Sequence, residues 1–433
     1  MVLATTRQAH YNLQNHVARA HHTCALMLDH MLFLQATNFL RKDFLMKITG
    51  VRTRIYETQM NRWLGDANNP GGWNRLIAVI VNIDTDEGIS GMSLGSVSAI
   101  NHIHGIVNGL LAGQDPRGVR GLWQKMNDEA FKAGNRGIVG DAISAIDVAL
   151  WDLKAKANNE PLWKTLGASE RRVRAYASGL DMPLSDDDLR TFYEGMAAKG
   201  IAAGKLKVGL NREDDLRRLG IMHDALATSG KQPQLMIDSN EYWSPKQAIA
   251  HIREIERHYE LLWAEEPARR WDYRGLRQVS QNVTTAVATG ENLDELQEFT
   301  DLVANEAVDM INVGAGSGGI TGMLQIADLA YAFDLPVTLM NCAANYTAHV
   351  AAVLPNHTHM EVLNAGRAYA MKVDNHIEDG WIILGDKPGL GIEYDEALLA
   401  PLLVDQPSPA PRSGRRVGAA LYQVPADPSE LEH

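Results

Sequence analysis

The sequence predicts an α/β fold in which a parallel barrel follows a smaller α+β region, and three observations carry that prediction. Seven short apolar runs, at 173–177, 205–208, 235–237, 261–264, 285–289, 310–313 and 337–340, alternate with helical text such as 245–258 and 293–304. Their spacing of about 25–30 residues is the length of a strand, a helix and two short loops, the repeat of a right-handed parallel barrel. Three of the runs lead into an acid, Asp238, Glu265 and Glu291, set 27 and 26 residues apart. In such a barrel, successive strand ends converge on one mouth.

Taken in order, residues 1–45 read as an N-terminal extension. They carry His10, His16, His21, His22, His30 and Cys24, but at spacings that match no standard metal site. The alternative is a start codon placed too early, with Met46 opening the domain. Residues 47–56 alternate apolar and polar, a strand signal, and 76–83 form a second strand. The Gly/Asn/Pro-rich stretch 65–72 between them reads as a flexible loop, and 84–88 as a turn. A helix is expected from Gly140-Asp141, with Ile143, Ile146, Leu150 and Leu153 at helical spacing, ending at Asn158-Asn159 before Pro161. The α+β region is therefore 46–170 and the barrel 171–378, with Met360-Glu361-Val362 ending the last unit. A Gly/Pro-rich segment, 379–404, is expected to return towards the first region, and 405–433 to be a mobile tail. Its final Leu431-Glu432-His433 reads as a cloning remnant.

Composition narrows the class. At 433 residues the chain fits two domains, and 45% hydrophobic with 22% charged residues is ordinary for a soluble enzyme. A net charge of −12 argues against nucleic acid or an anionic membrane as partner. Two cysteines, Cys24 and Cys342, build no disulfide framework, which points to a reducing compartment. No apolar run approaches membrane-spanning length and no signal-peptide order opens the chain, so the expected location is the cytoplasm.

Asp238, Glu265 and Glu291 together form an all-oxygen site, which suits Mg²⁺ rather than zinc. Lys205 and Lys207 stand two apart on a strand, so both ammonium groups point to the same face, into that mouth.

At this point five motifs in order resemble a known family. They are 140–152 (GDAISAIDVALWD), Lys205-x-Lys207, Asp238-x-Asn240, Trp263-x-Glu265-Glu266-Pro267 and Gly290-Glu291-Asn292, with Asp386 to Gly391 (DKPGLG) following. The chain resembles the enolase superfamily, in its mandelate racemase/muconate lactonizing branch, over about 46–400. That resemblance implies a modified (β/α)7β barrel with an N-terminal α+β capping domain, and abstraction of the proton α to a carboxylate. It implies Mg²⁺ on Asp238, Glu265 and Glu291, which stabilises the second negative charge that the abstraction creates. It makes Lys207 the base, its pKa lowered by Lys205 and partial burial. Lys205 would contact the substrate carboxylate, Asn240 would polarise the substrate, Glu361 would hydrogen-bond its carboxylate, and Glu266 would support Glu265. The stretch 59–65 resembles the family's mobile capping loop, in which Arg62 and Trp63 would grip the substrate and exclude water. Enzymes of this branch usually associate, so a homo-oligomer is expected.

One face departs from the family pattern. Many members place a second base there, a Lys ending the sixth strand or a His ending the seventh with an Asp partner. Here the sixth run reads Asp309-Met310-Ile311-Asn312-Val313-Gly314, and the seventh Leu339-Met340-Asn341-Cys342. Asn341 can bind substrate but shuttles no proton near neutral pH. His349 reads as a packed helix residue, and Tyr346 and Cys342 are the remaining substitutes. A one-sided site suits syn dehydration of a sugar acid or similar hydroxy acid, in which the abstracted proton returns to a departing β-hydroxyl. The alternatives are an epimerase, racemase or cycloisomerase, and a catalytically silent metal-binding relative.

Overall fold

The computed structural model describes residues 46–409 apart from 133 and 341. The extension 1–45 with its histidines and Cys24, the tail from 410, and Asn341 lie outside the described residues. A three-stranded antiparallel sheet comes first, made of β1 (Ile48–Asp66), β2 (Asn69–Thr85) and β3 (Ser90–Gly95). Val51, Thr53 and Ile55 on β1 face Ile83, Val81 and Val79 on β2, and such β-branched pairs fit a pleated, half-buried surface. The expected flexible loop at 65–72 is instead the tip of this hairpin. The strands run on to a final Asp66–Asn69 pair, with Ala67 and Asn68 between them. Pro70 is tolerated because it falls in an irregular stretch, between the Leu64–Trp73 and Asp66–Asn69 pairs, where the ladder is already interrupted. A second irregularity, between Gln59 and Leu64, bulges Arg62 and Trp63 out of the ladder.

The main helices of the capping region are α1 (Ile100–Ile106), α2 (Val119–Glu129) and α3 (Ile138–Ala157). The last is the helix expected from Gly140-Asp141. Every side chain on it from Ala142 to Leu153 is buried, because β3 covers one face and a barrel helix another. A Cβ at Gly91 of β3 would lie 2.0 Å from the Ala149 oxygen, so glycine is what lets strand and helix meet.

The barrel follows as β4 (Arg172–Ser178), α4 (Asp186–Ala197), β5 (Ala203–Lys207), α5 (Arg212–Ala227), β6 (Gln234–Asp238), α6 (Pro245–Glu256), β7 (Leu261–Glu265), α7 (Tyr273–Ser280), β8 (Ala286–Thr289), α8 (Leu296–Ala304), β9 (Met310–Val313), α9 (Gly319–Ala332), β10 (Val337–Leu339), α10 (Ala348–Ala351) and β11 (His357–Val362). Successive strands pair in parallel, and β11 pairs with β4 to close the ring. This is a (β/α)7β barrel behind an antiparallel capping sheet. Side chains that open helices set the strand–helix boundaries: Ser185 accepts from the Asp188 amide, Asn211 from those of Glu213 and Asp214, and Ser244 with Gln247 forms a capping box.

Inward-pointing Tyr176, Ala203, Met236, Trp263, Ala288 and Met310 form one packed layer, with Tyr176 edge-on to Trp263 at 5.2 Å. Two residues further along β5, β6, β7 and β9, the same face carries Lys205, Asp238, Glu265 and Asn312. The apolar layer is therefore the floor of the mouth. After the barrel, β12 (Met371–Val373), β13 (Asn375–Glu378), β14 (Trp381–Leu384) and β15 (Ile392–Tyr394) follow, and β14 pairs antiparallel with β4. The chain then returns to α3, where the buried Asp152 carboxylate accepts from the Leu390 amide at 2.7 Å and the Met92 amide at 2.7 Å. Among the described residues no helix is long and apolar enough to cross a membrane.

Candidate active site

Parallel register brings the expected groups level. Lys207 pairs with Asp238, and Asp238 with Glu265, across β5, β6 and β7, while Glu291 lies two residues beyond the end of β8. Lys205 Nζ lies 2.5 Å from Glu265 Oε1, 3.2 Å from Glu361 Oε1 and 3.4 Å from Asp238 Oδ2. Lys207 Nζ donates to Asp238 Oδ2. Both lysines, Asp238, Glu265 and Glu361 are buried. The second oxygen of Glu265 accepts from Trp263 Nε1 at 2.9 Å, and Asn312 Nδ2 donates to Oε1 at 2.9 Å. The sequence reading placed specificity at 312–316 and gave Asn312 no individual role. Its signal was the step of two from the inward Met310 to a strand end.

The electrostatics of this cluster are those of a site short of positive charge. Five carboxyls, on Asp238, Glu265, Glu266, Glu291 and Glu361, lie around two ammonium groups. Burial and the neighbouring Asp238, Glu291 and Glu361 charges push Glu265 up to about 8, against the pull of Lys205. Burial and Asp238 raise Glu291 as well. Asp238 is held below its ordinary value, because Lys207 and Lys205 outweigh its burial. Lys207 departs from the sequence expectation. Burial is the largest single influence and lowers its pKa, but Asp238, with Glu291 and Glu265 behind it, outweighs burial and the repulsion from Lys205, so the ammonium is held protonated. The neighbour that was expected to free this lysine matters less than the carboxylate touching it.

The other expected residues are placed as follows. The Asn240 amide nitrogen donates to Asp238 Oδ1 at 2.8 Å, and its buried side-chain oxygen has no hydrogen-bond partner among the described residues. Ser178 Oγ, Thr289 Oγ1 and Asn312 Oδ1 are likewise buried and unpartnered there. Glu266 accepts from Asn292 Nδ2 at 2.7 Å. Arg62, expected to grip substrate, is committed to the frame: Nη1 donates to the Gly179 oxygen, Nη2 to the Leu363 oxygen at 2.8 Å, and the guanidinium lies 4.4 Å from the Phe192 ring centroid. Trp63 beside it is 51% exposed. His349 is a packed helix residue, its Nδ1 accepting from the Trp163 amide at 3.1 Å. Cys342 Sγ lies 3.3 Å from Thr347 Oγ1, and burial raises the pKa of both Cys342 and Tyr346.

Across the mouth, the ends of β9 and β10 present Gly314 and Met340. A Cβ on Gly314 would lie 2.5 Å from Met340 Sδ, so the thioether occupies the space a side chain at 314 would take.

Among the described residues no three acidic or imidazole groups stand together at metal-ligand distances, because the lysines hold the carboxylates. The chemistry of the donor set nevertheless fits a hard divalent cation. It is all oxygen, it sits on three neighbouring strand ends, and it carries more carboxylates than the two lysines neutralise.

Comparison with known proteins agrees with this geometry. Residues 188–398 match the family model for enolase C-terminal domain-like proteins, and residues 72–167 match that for the mandelate racemase/muconate lactonizing enzyme N-terminal domain. The chain is 30% identical over 367 residues to the 3,6-anhydro-alpha-L-galactonate cycloisomerase of Streptomyces coelicolor, covering 82% of this chain and 99% of that one. It is 32% identical over 332 residues to the L-talarate/galactarate dehydratase of Salmonella typhimurium, covering 73% of this chain and 80% of that one. Among solved structures, a Streptomyces coelicolor racemase with bound magnesium superposes at a TM-score of 0.75 with 30% identity, covering 82% of this chain and all of that one. The L-talarate dehydratase of Polaromonas, complexed with magnesium and L-glucarate, gives 0.75 and 28%, over 83% of this chain and 98% of that one.

Proposed function

Because this chain belongs to the mandelate racemase/muconate lactonizing branch of the enolase superfamily, we propose that it is a Mg²⁺-dependent dehydratase of a sugar acid or related hydroxy acid. The observation that favours dehydration is the pairing of Lys207 on one wall with Gly314 and Met340 on the other. Asp238, Glu265 and Glu291 are the residues that would hold the metal. Bound there, Mg²⁺ would supply the positive charge that the substrate carboxylate needs when its α-proton leaves, and Asp238, engaged as a ligand, would no longer hold Lys207 charged. Neutral Lys207 then takes the α-proton on Nζ, and the electron pair moves into the carboxylate as an enediolate. That pair returns to expel the β-hydroxyl, which leaves as water with the proton carried by Lys207. The resulting enol tautomerises to a 2-keto acid. Lys205 and Glu361 face the substrate carboxylate, and Asn240 and Asn312 offer unpartnered side-chain oxygens to its hydroxyls. Trp63, exposed on the hairpin, is expected to close over the mouth and shed water when substrate binds, while Arg62 fastens the hairpin down.

Cycloisomerisation is the second reading. It needs the same enediolate and one lysine, and the Streptomyces coelicolor relative named as a cycloisomerase favours it. A panel of acid sugars incubated with Mg²⁺ in D₂O separates the two. Dehydration yields a ketone with loss of water, whereas cycloisomerisation yields a product isomeric with its substrate. Chelation should stop either reaction and added Mg²⁺ restore it. If no acid on the panel exchanges its α-proton, the enzymatic reading fails in favour of a silent relative.

A further inference from the structure

We propose that Asp181 is the positioning residue for the two lysines, and that the turn carrying it also seats the capping hairpin. The proposal rests on the reading of Lys207 as the base. β4 ends at Ser178, and its pairing with β5 stops at Ser178–Lys205. β5 runs on by two residues that pair only with β6. On the β4 side, the Lys207 amide has outrun its neighbour strand, and a buried N–H without a partner costs about as much as a lost hydrogen bond. Asp181 supplies the missing acceptor: its Oδ1 takes the Lys207 amide at 3.1 Å. The Tyr193 hydroxyl, from α4, lies 2.7 Å from the Lys205 oxygen and 2.8 Å from Asp181 Oδ2, both acceptors for its single proton. Arg218, from α5, fixes the carboxylate in turn, with Nη2 donating to Asp181 Oδ1 at 3.2 Å and to its backbone oxygen at 2.7 Å. Asp181, Tyr193 and Arg218 are all buried. A side-chain network thus replaces the next rung of the ladder beside the residues that carry the chemistry.

The same turn receives the hairpin. The Gly65 amide donates to the Leu180 oxygen at 2.7 Å, the Met182 amide to the Gly65 oxygen at 3.3 Å, and Arg62 to the Gly179 oxygen. A Cβ at Gly179 would lie 2.3 Å from Asp181 Oδ2, so glycine there lets the carboxylate fold back. Leu180 holds a φ of +44°, a conformation costly for a branched side chain. The hairpin amide on its carbonyl helps hold that conformation. Seating the hairpin therefore fixes the turn that aims Asp181 at β5.

The test uses Asp181→Ala, Asp181→Asn, Tyr193→Phe and Arg62→Ala in the full chain. Deuterium exchange of the Lys207 amide is read at residue resolution, and kcat and KM are measured for the acid that the wild type turns over. Asp181→Ala should unprotect the Lys207 amide and lower kcat by about tenfold to 100-fold with little change in KM, the size of effect expected when a reacting group shifts by about 1 Å. Asp181→Asn, which keeps one acceptor oxygen, should recover part of both losses, and Tyr193→Phe should move them the same way by less. Arg62→Ala, remote from β5, should also weaken protection of that amide. A folded Asp181→Ala with wild-type protection and wild-type kcat overturns the positioning role, as does Tyr193→Phe with both unchanged should Asp181→Ala not fold, and undiminished protection in Arg62→Ala overturns the link to the hairpin. If the wild type exchanges the α-proton of no acid, the reading of Lys207 as base fails, while amide protection still decides what Asp181 does.

Discussion

At the ends of β5, β6 and β7 the chain sets Lys207, Asp238 and Glu265 side by side and buries them. At the ends of β9 and β10 it sets Gly314 against the side chain of Met340. The first wall packs ionisable groups so densely that their pKa values move in both directions. Among the described residues, the second offers the Met340 thioether and, at Gly314, no side chain. A mouth built this way can remove a proton and return it on the same side. On the proposed reading, the contrast between its walls, more than the presence of three acids, is what favours dehydration or cycloisomerisation over two-base inversion.

The largest effect should come from breaking the charged wall. Lys207→Ala is expected to lower α-proton exchange by roughly 10²–10⁴-fold, the range for loss of a positioned general base. Exchange is followed by mass spectrometry in D₂O, and an undiminished rate would move the base elsewhere.

A second test compares two buried aspartates. Asp238 has two lysines and is held low, whereas Asp147 on α3 has the Thr321 amide at 2.8 Å and hydroxyl at 2.6 Å, and burial pushes it up to about 7. Folded Asp147 keeps its proton up to about pH 7, whereas the unfolded chain releases it near the ordinary value of 3.8. Its contribution to stability is therefore complete below about pH 4 and is lost as pH rises towards 7, by up to about 4 kcal/mol. Asp147→Asn should flatten that part of the pH dependence in urea unfolding at pH 5 and pH 7.5. Other groups titrate alike in both proteins, so parallel curves would count against the assignment.

The smallest effect should come from the bare wall. Gly314→Ala drives a methyl into the flexible end of Met340, at a cost of about 1–3 kcal/mol. The melting temperature should fall while turnover stays within about threefold. Loss of turnover in a folded variant would mean that this wall takes part in the chemistry.

Much of this was legible in the residues themselves. The barrel strands stand within one or two residues of the expected runs, because short apolar segments between helical stretches have few other fates. Lys205, Lys207, Asp238 and Glu265 were legible because a strand's period of two and parallel register are local rules. The hairpin tip was not, because Gly and Pro at 70–72 mark a loop by propensity, and the contacts that carry the strands onward come from Leu180 and Met182, far along the chain. The hydrogen bonds of Arg62 were not legible for the same reason, since its carbonyl partners, Gly179 and Leu363, come from opposite ends of the barrel sequence.

By itself the sequence determined the order of elements, the closed parallel sheet, and which side chains point into its mouth, since each follows from periodicities of two and 3.6 residues. Tertiary structure alone decided the protonation of those side chains and their support. Lys207 is held charged by an oxygen 31 residues away in the chain, and its amide is held by one 26 residues back. Electrostatics and hydrogen bonding depend on distances in space, which no local pattern encodes.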